Sequence, residues 1–571
     1  MTRSRLVAPR LLVASAAAVV VGAAALGGLA AIGTGRPPGT DPSFTAALAP
    51  PTAWDSPGPS TLAQLLAPTA APVATTIPAP VATPSASPSA SPSASPQASR
   101  SPVPLVPIVG YWSTERSLSL RQVSALFHAG SPSMVDGPAP ATRTVAMSAA
   151  DVEPLAALLG VEPRDILEVP AAKVRDSVKA SANVVGIVRA DDVTTDVRAL
   201  AVDGYQLFGA ERVRDPLTWP LLVDEPGVAS TFLASPVWTM AAGGDVMLDK
   251  AVYSQSIRMG GGVDYAWQGG QAVIAGRYCC GTGRKALVLG RRTGDAGAVE
   301  RLFRSADLSI VNLESPEPDR YRYHSSGFVF TGDPALLAGL QDAGIDLAGL
   351  ANNHIGNAGT KGVLDTIRHL DQLGIAHAGA GTSQATARQA AWLWAGGLRI
   401  AVLAYCEVEP FSYWAGPGHP GSAAYSITAI LRDIRAARRA GANLVIVMPH
   451  WGIEYTDSVL SQQRNDARRM MAAGADLILG SHTHWVGPFE QAAPGRFVFY
   501  SLGDLVFDWT HDERTQEGVV VDLTYVGTRL VQIDLHPTVI IAGQPNLLDP
   551  SGGTGTVLDA VRRTSEPMLR W

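Results

Sequence analysis

The segment Asp476–Trp485 reads DLILGSHTHW: an apolar run, a glycine, then His482 and His484 with one residue between them. A short apolar run bounded by glycine suits a strand buried on both faces, and the residues after it stand at the strand's carboxyl end. In an extended segment residues two apart point to one side, so both rings would face one crevice while Thr483 turns away. The pair is either metal-ligating or polar punctuation after a buried strand. The choice between them depends on which other residues share that address.

The same pattern recurs from about Pro236 onward. The runs VWTMAAGG, LSIVNLE, LAGLANN, LRIAVLAY, NLVIVMPH, DLILGSH and FVFYSLGD alternate with helical stretches such as KGVLDTIRHLDQLG, ITAILRDIRAARRAG and QQRNDARRMMAAG. A helix between successive buried strands predicts an α/β fold with a mostly parallel sheet and right-handed crossovers. The later runs GVVVDLTYV and RLVQIDLHPTVI predict a closing hairpin.

The polar exceptions sit at the run ends: Asp245, Glu314, Asn352-Asn353-His354, His450, His482 with His484, and Asp504. The carboxyl ends of parallel strands lie along one edge, where ligands bind. Taken singly, each residue reads as a turn or a cap. Taken together, carboxylates, a carboxamide and neutral imidazoles form a ligand set for divalent Mn, Fe or Zn. The absence of clustered cysteines argues against structural zinc or iron–sulfur chemistry.

The motifs GGDVMLDK, SADLSIVNLESP, GIDLAGLANNHIGNAGTKGVLDTI, VIVMPHWGIEY, GADLILGSHTHWVGPFE and FVFYSLGDLVFD resemble, in order and spacing, the CapA-type poly-γ-glutamate capsule synthesis proteins of the calcineurin-like metallophosphatase superfamily. The resemblance covers roughly residues 236–550. It implies a four-layer α/β/β/α sandwich, metal ligation by Asp245, Glu314, Asn353, His450, His482 and His484, and His354 as general acid. It implies one or two divalent ions.

Four departures bear on that count. Met247 stands where the superfamily's Asp-x-His motif has its histidine, Glu314 replaces an Asp, Asn357 replaces an Asp, and SLGD replaces SLGN. The resemblance implies a metal-dependent hydrolase acting in synthesis, release or attachment of an anionic envelope polymer such as poly-γ-glutamate. The alternative is a non-catalytic, polymer-binding assembly factor of a membrane synthase complex.

Trp451, Tyr455 and Trp485 flank the ligands and either line a polymer groove or pack. The insertion Tyr253–Thr293 carries Arg277, Arg284, Lys285, Arg291 and Arg292. It suits an anionic polymer or a solvated basic loop.

Arg3, Arg5 and Arg10 precede Leu11–Gly35, which carries no charge. A spanning helix needs about 20 apolar residues, so residues 1–35 read as a membrane anchor or a long cleaved signal peptide, with the folded part outside in either case. Residues 36–104 are rich in Pro, Ala, Ser and Thr and predict a disordered linker. Residues 105–235 predict a small α/β domain, with strand-like PIVGY and NVVGIV, helix-like RQVSALFHAG, and a second helix opening on Ser148 and Asp151 in capping-box spacing. NVVGIVRADDVTTDVRALAVDG resembles, without a sharp motif, part of a periplasmic-binding-protein-type domain, which leaves a solute-sensing role open. Residues 551–571 read as a C-terminal tail.

A net charge of −6 with 16% charged residues gives no electrostatic footprint for nucleic acid. Cys279, Cys280 and Cys406 are odd in number, which in an exported chain leaves at least one unpaired or bonded to another chain.

Overall fold

The computed structural model describes residues 100–128, 143–226, 229–279 and 285–570, all within one compact unit, Ser93–Trp571. The expected anchor or signal segment 1–35, and the expected linker up to residue 99, lie outside the described residues. No helix among the described residues is long and apolar enough to cross a membrane.

The architecture is mixed α/β with several sheets. In the ten-stranded sheet, Val237–Val246 runs parallel to Leu308–Leu313 and to the short strand Asp504–Val506, and antiparallel to Glu517–Val526. Leu347–Gly349 and Ala376–Ala378 extend it in parallel. The predicted closing hairpin is present as Glu517–Val526 paired antiparallel with Arg529–Ile541.

A separate six-stranded sheet holds Leu398–Cys406, Leu444–His450, Leu477–Leu479 and Arg496–Phe499 in parallel, with an antiparallel strand at each edge. Periodicity alone predicts a mostly parallel sheet and the resemblance implies a mixed pair; the described residues form two separate sheets here. Runs buried on both faces look the same in either sheet, so periodicity carries no sign of the division.

FVFYSLGD is divided as well. Its strand in the smaller sheet ends at Phe499, and Asp504 opens a strand of the larger sheet.

Three apolar clusters explain why these runs fold as they do. Met240, Ala242 and Ile310 of the larger sheet share one cluster with Val402, Ile446 and Phe497 of the smaller. The alternate residues Ala241 and Val311 join Phe303, Leu340, Val363 and Leu370, which lie on the helices Ala298–Ser305, Leu337–Asp342 and Gly359–Leu373. Val445 and Val447 join Ile430, Ile434, Ala467 and Met470 of the helices Ile427–Arg439 and Ser461–Ala473. Each strand thus buries both faces, at about 25 cal/mol per Å² of apolar surface.

The N-terminal described residues build a further six-stranded sheet around Arg100–Gly110. That strand starts inside the stretch expected as linker, because Val103, Leu105 and Val106 are apolar enough to be buried. The helix Ala149–Leu159 forms as predicted, but the Ser148–Asp151 capping box does not. Asp151 turns inward instead and accepts from Arg189 Nε at 2.8 Å, a stronger charge-assisted bond than a weak cap.

This sheet is tied to the rest of the unit. Arg198, 1% exposed, donates to Asp534 Oδ1 at 2.7 Å, and Val531 belongs to its apolar cluster. The expected C-terminal tail is helical over Gly555–Ser565 and buries Val557, Leu558 and Val561 in the cluster shared by the two larger sheets.

Candidate metal centre

The predicted ligands come from both sheets. Asp245, Glu314 and Asn353 stand at or just after strand ends of the larger sheet, and His450, His482 and His484 at those of the smaller. Two glycines allow the close approach. A Cβ on Gly244 would lie 1.9 Å from the Gly503 carbonyl oxygen, which instead accepts the Asp245 N–H at 3.0 Å. A Cβ on Gly480 would meet the Tyr500 carbonyl oxygen at 2.2 Å.

Past Gly480 the backbone is not extended. His482 has φ 100° and His484 φ 58°, a left-handed region that costs a non-glycine residue about 1–3 kcal/mol. The expectation that extended spacing aims both rings one way is thus corrected. The strand ends at Leu479, so no ladder holds the segment straight. Two left-handed residues instead place the ring centroids 6.3 Å apart.

The ligand atoms fall into two buried groups, each within 4.8 Å: Glu314, His450 and His482, and Asp245, Glu314 and His484. Glu314 is common to both. Asn353 Oδ1 lies 2.8 Å from His450 Nε2, beside the first group. Asn352 shapes the loop, donating to the Leu313 carbonyl at 2.7 Å and accepting from the His354 and Ile355 N–H groups.

Neighbours orient several of these ligands. Asn312 Nδ2 donates to Asp245 Oδ1 at 2.8 Å, His450 Nδ1 lies 2.8 Å from Ser481 Oγ, and His484 Nδ1 lies 2.8 Å from Asp504 Oδ1. Such contacts fix which ring nitrogen faces a metal. Neither Asn312 nor Ser481 is among the residues that the sequence singles out. The available signal was a polar residue inside an otherwise apolar strand run, and a hydroxyl next to a histidine.

Both Glu314 carboxylate oxygens, His482 Nδ1 and Asp504 Oδ2 are buried with no hydrogen-bond partner in the protein. Burying bare acceptors is costly, and divalent cations would satisfy them. The donor set fits such ions. Burial, reinforced by Glu314, pushes Asp245 well above the usual carboxylate range. Burial also pushes Glu314 up to about 8 and holds His450 and His482 well below the usual imidazole range. A cation-free centre minimises charge in this way, and a bound cation reverses the carboxyl half of it.

His354 lies at the edge of the ligand groups. Its Nδ1 is 2.9 Å from Asn357 Oδ1, which also accepts from the Phe330 N–H at 2.7 Å. That network assigns the ring proton to Nδ1 and leaves Nε2 facing Asn353. The Phe330 ring packs on it at 4.4 Å, and burial pushes its pKa down to about 3. Met247 packs with Phe330, Phe507 and Ile540.

The flanking candidates separate. Trp451 is fully buried and donates to the Tyr500 carbonyl at 3.2 Å, which makes it core. Tyr455 stacks near His484 at 5.8 Å, and Trp485 lies under Lys285 and Arg514. Two of the insertion's described cations meet carboxylates from outside it, Arg277 with Glu513 and Glu517 and Lys285 with Asp512, whereas Arg291 and Arg292 are exposed with no carboxylate partner among the described residues. Arg284 lies outside the described residues.

Residues 239–509 match the family described as bacterial capsule synthesis protein PGA_cap. The chain is 28% identical over 256 residues to the capsule biosynthesis protein CapA of Bacillus anthracis, covering 43% of this chain and 61% of that protein. It is 31% identical over 248 residues to the PGA biosynthesis protein CapA of Bacillus subtilis, covering 42% and 64%. An uncharacterized protein of Sinorhizobium fredii, y4uA, is 31% identical over 329 residues, covering 45% and 70%. The chain thus spans just over six tenths of the length of the two CapA relatives. With the strand-end residues of the motifs gathered in two groups that share Glu314, the match places this chain, through residues 239–509, in the CapA-type capsule synthesis protein family.

Proposed function

We propose that this chain is a metal-dependent hydrolase of the phosphoesterase type, acting outside the cytoplasmic membrane on an anionic envelope polymer such as poly-γ-glutamate. The observation that carries this reading is Glu314: both its oxygens are buried without a hydrogen bond, His450 Nε2 standing 3.4 Å from one of them, and it belongs to two candidate ligand groups at once. The two larger sheets and their three apolar clusters are read as a four-layer α/β/β/α sandwich. The relatives' names support the choice of polymer, and the arginines ahead of Leu11–Gly35 support export.

In this reading Asp245, Glu314, Asn353, His450, His482 and His484 hold one or two divalent ions of Mn, Fe or Zn. When bound, such ions supply Lewis-acid polarisation and an acidified water. Asn312, Ser481 and Asp504 keep the ligands aimed. His354, its Nδ1 held by Asn357, would present Nε2 to the leaving atom, an oxygen in a phosphoester and a nitrogen in a γ-linked amide. Burial disfavours its charged form, and the negative charge of a bound substrate restores the proton it donates. Phe330 over His354, and Phe507 and Trp509 beside His484, exclude water from the ligands.

The test is metal content per chain in natively purified protein, followed by assay against aryl phosphates, phosphodiesters and poly-γ-glutamate. At least one ion per chain and turnover are expected. No metal, with no turnover after Mn or Zn loading, sinks the reading and leaves the polymer-binding assembly factor in its place.

A further inference from the structure

A groove of about 550 Å³ lies against the loops that hold His354, lined in part by Arg320, Arg322, Thr331, Ala358 and Lys361. Its walls are continuous with the site. Ala358 directly follows Asn357, which holds His354 Nδ1. Thr331 directly follows Phe330, whose ring covers the same imidazole. An extended ligand with one end at the ligand groups has this groove as a neighbouring surface.

The charge around the groove is unbalanced in a specific way. Lys361 and Arg368 are matched by Asp319 and Asp365, which leaves Arg320 and Arg322 without a carboxylate partner among the described residues. Both are exposed. By Tyr455 and Trp485, in contrast, Lys285 and Arg514 each have an acid partner. Among the cations that line the groove itself, the unmatched charge therefore belongs to the two arginines. The helix Gly359–Leu373 also starts at the groove with Ala358 as its N-cap, which offers no side-chain acceptor. Its uncapped first turn adds partial positive charge.

We propose that this groove is an anion subsite: Arg320 and Arg322 hold successive carboxylates of a linear polyanion while another part of the same chain lies at the ligand groups. Guanidinium groups suit this role because they stay charged and bind carboxylates through two parallel hydrogen bonds. The proposal rests on the hydrolase reading for where the polymer is cut, and on the arginines alone for where it is held.

The test uses the full chain and fluorescein-labelled poly-γ-glutamate, with labelled polyphosphate as a second probe, read by anisotropy at low and physiological salt. Arg320→Ala/Arg322→Ala is expected to weaken poly-γ-glutamate binding about tenfold, the loss expected for two partly exposed charge-assisted contacts. Metal content and melting temperature should not change. Arg435→Ala/Arg439→Ala removes the same charge from the exposed side of the helix Ile427–Arg439 and is expected to leave binding intact. Equal loss in both variants, or none in the first, overturns the proposal, and a loss confined to polyphosphate overturns the carboxylate assignment. A chain that holds no metal and turns nothing over, yet binds through Arg320 and Arg322, keeps the groove and removes the hydrolase reading.

Discussion

His484 Nδ1 and Asp504 Oδ1 stand 2.8 Å apart with both side chains buried, and the pair joins a turn of the smaller sheet to the first residue of a strand in the larger. The carboxylate fixes the ring so that Nε2 is the nitrogen left for Asp245 and Glu314. Asp504→Asn keeps the shape and removes the charge. It is expected to lower divalent-ion affinity roughly 10- to 100-fold, as loss of a ligand-orienting partner does. Chelator competition measures it, and unchanged affinity would mean that packing alone orients His484.

Glu314→Gln separates the cost of the centre from its use. Without metal, wild type buries a carboxyl with no hydrogen-bond partner, and the amide removes a group that burial penalises. The variant is expected to melt at or above the wild-type temperature in chelator. Added Mn²⁺ or Zn²⁺ should then stabilise wild type by mass action and the variant far less. Calorimetry with and without metal reads both effects, and equal metal stabilisation would remove Glu314 from the shared position.

The gathering of the strand-end residues was legible because one apolar run closing on Asp, Asn or His can be a turn or a cap, whereas a series of such runs in order puts the polar groups at one edge. The division into two sheets was not legible, since Ile310 and Ile446 sit in equally apolar runs and only tertiary pairing assigns them. Asp504 reads as the end of FVFYSLGD because the irregular backbone between Phe499 and Asp504 leaves no mark in the pattern. The left-handed turns at His482 and His484 were hidden for the same reason. Local spacing reports side-chain direction only where a ladder keeps the chain extended. Asn312 and Ser481 act through other ligands, so their types alone announce nothing.

Asp534 couples the N-terminal sheet to the strand Arg529–Ile541. It accepts from Arg198 Nη1 at 2.7 Å and from Arg116 Nη1 at 3.0 Å. Asp534→Ala leaves the Arg198 guanidinium buried with only the Tyr111 carbonyl as acceptor. A loss of about 3–5 kcal/mol is expected from breaking such a pair on one side. Urea unfolding measures it, and a change below about 1 kcal/mol would show that water reaches Arg198.

Glu490 supports the site from beneath and gives its stability a pH dependence. It is 2% exposed and takes Arg464 Nε at 3.0 Å, Arg468 Nη2 at 2.8 Å and the Tyr500 hydroxyl at 2.7 Å. Burial raises its pKa, but the hydrogen bonds from Arg464, Tyr500 and Arg468 outweigh burial and leave it below the ordinary value. A depressed carboxyl stabilises the fold above its unfolded pKa, about 4.3, and that contribution is lost as pH falls through the folded value. Glu490→Gln is therefore expected to cost about 2 kcal/mol at pH 7, with the gap to wild type closing below about pH 4. Melting curves of both proteins across that range test it, and a gap that stays constant would assign the loss to geometry alone. Tyr500 carries the consequence to the metal centre, because its carbonyl holds Trp451 and borders Gly480, from which the His482–His484 turn departs.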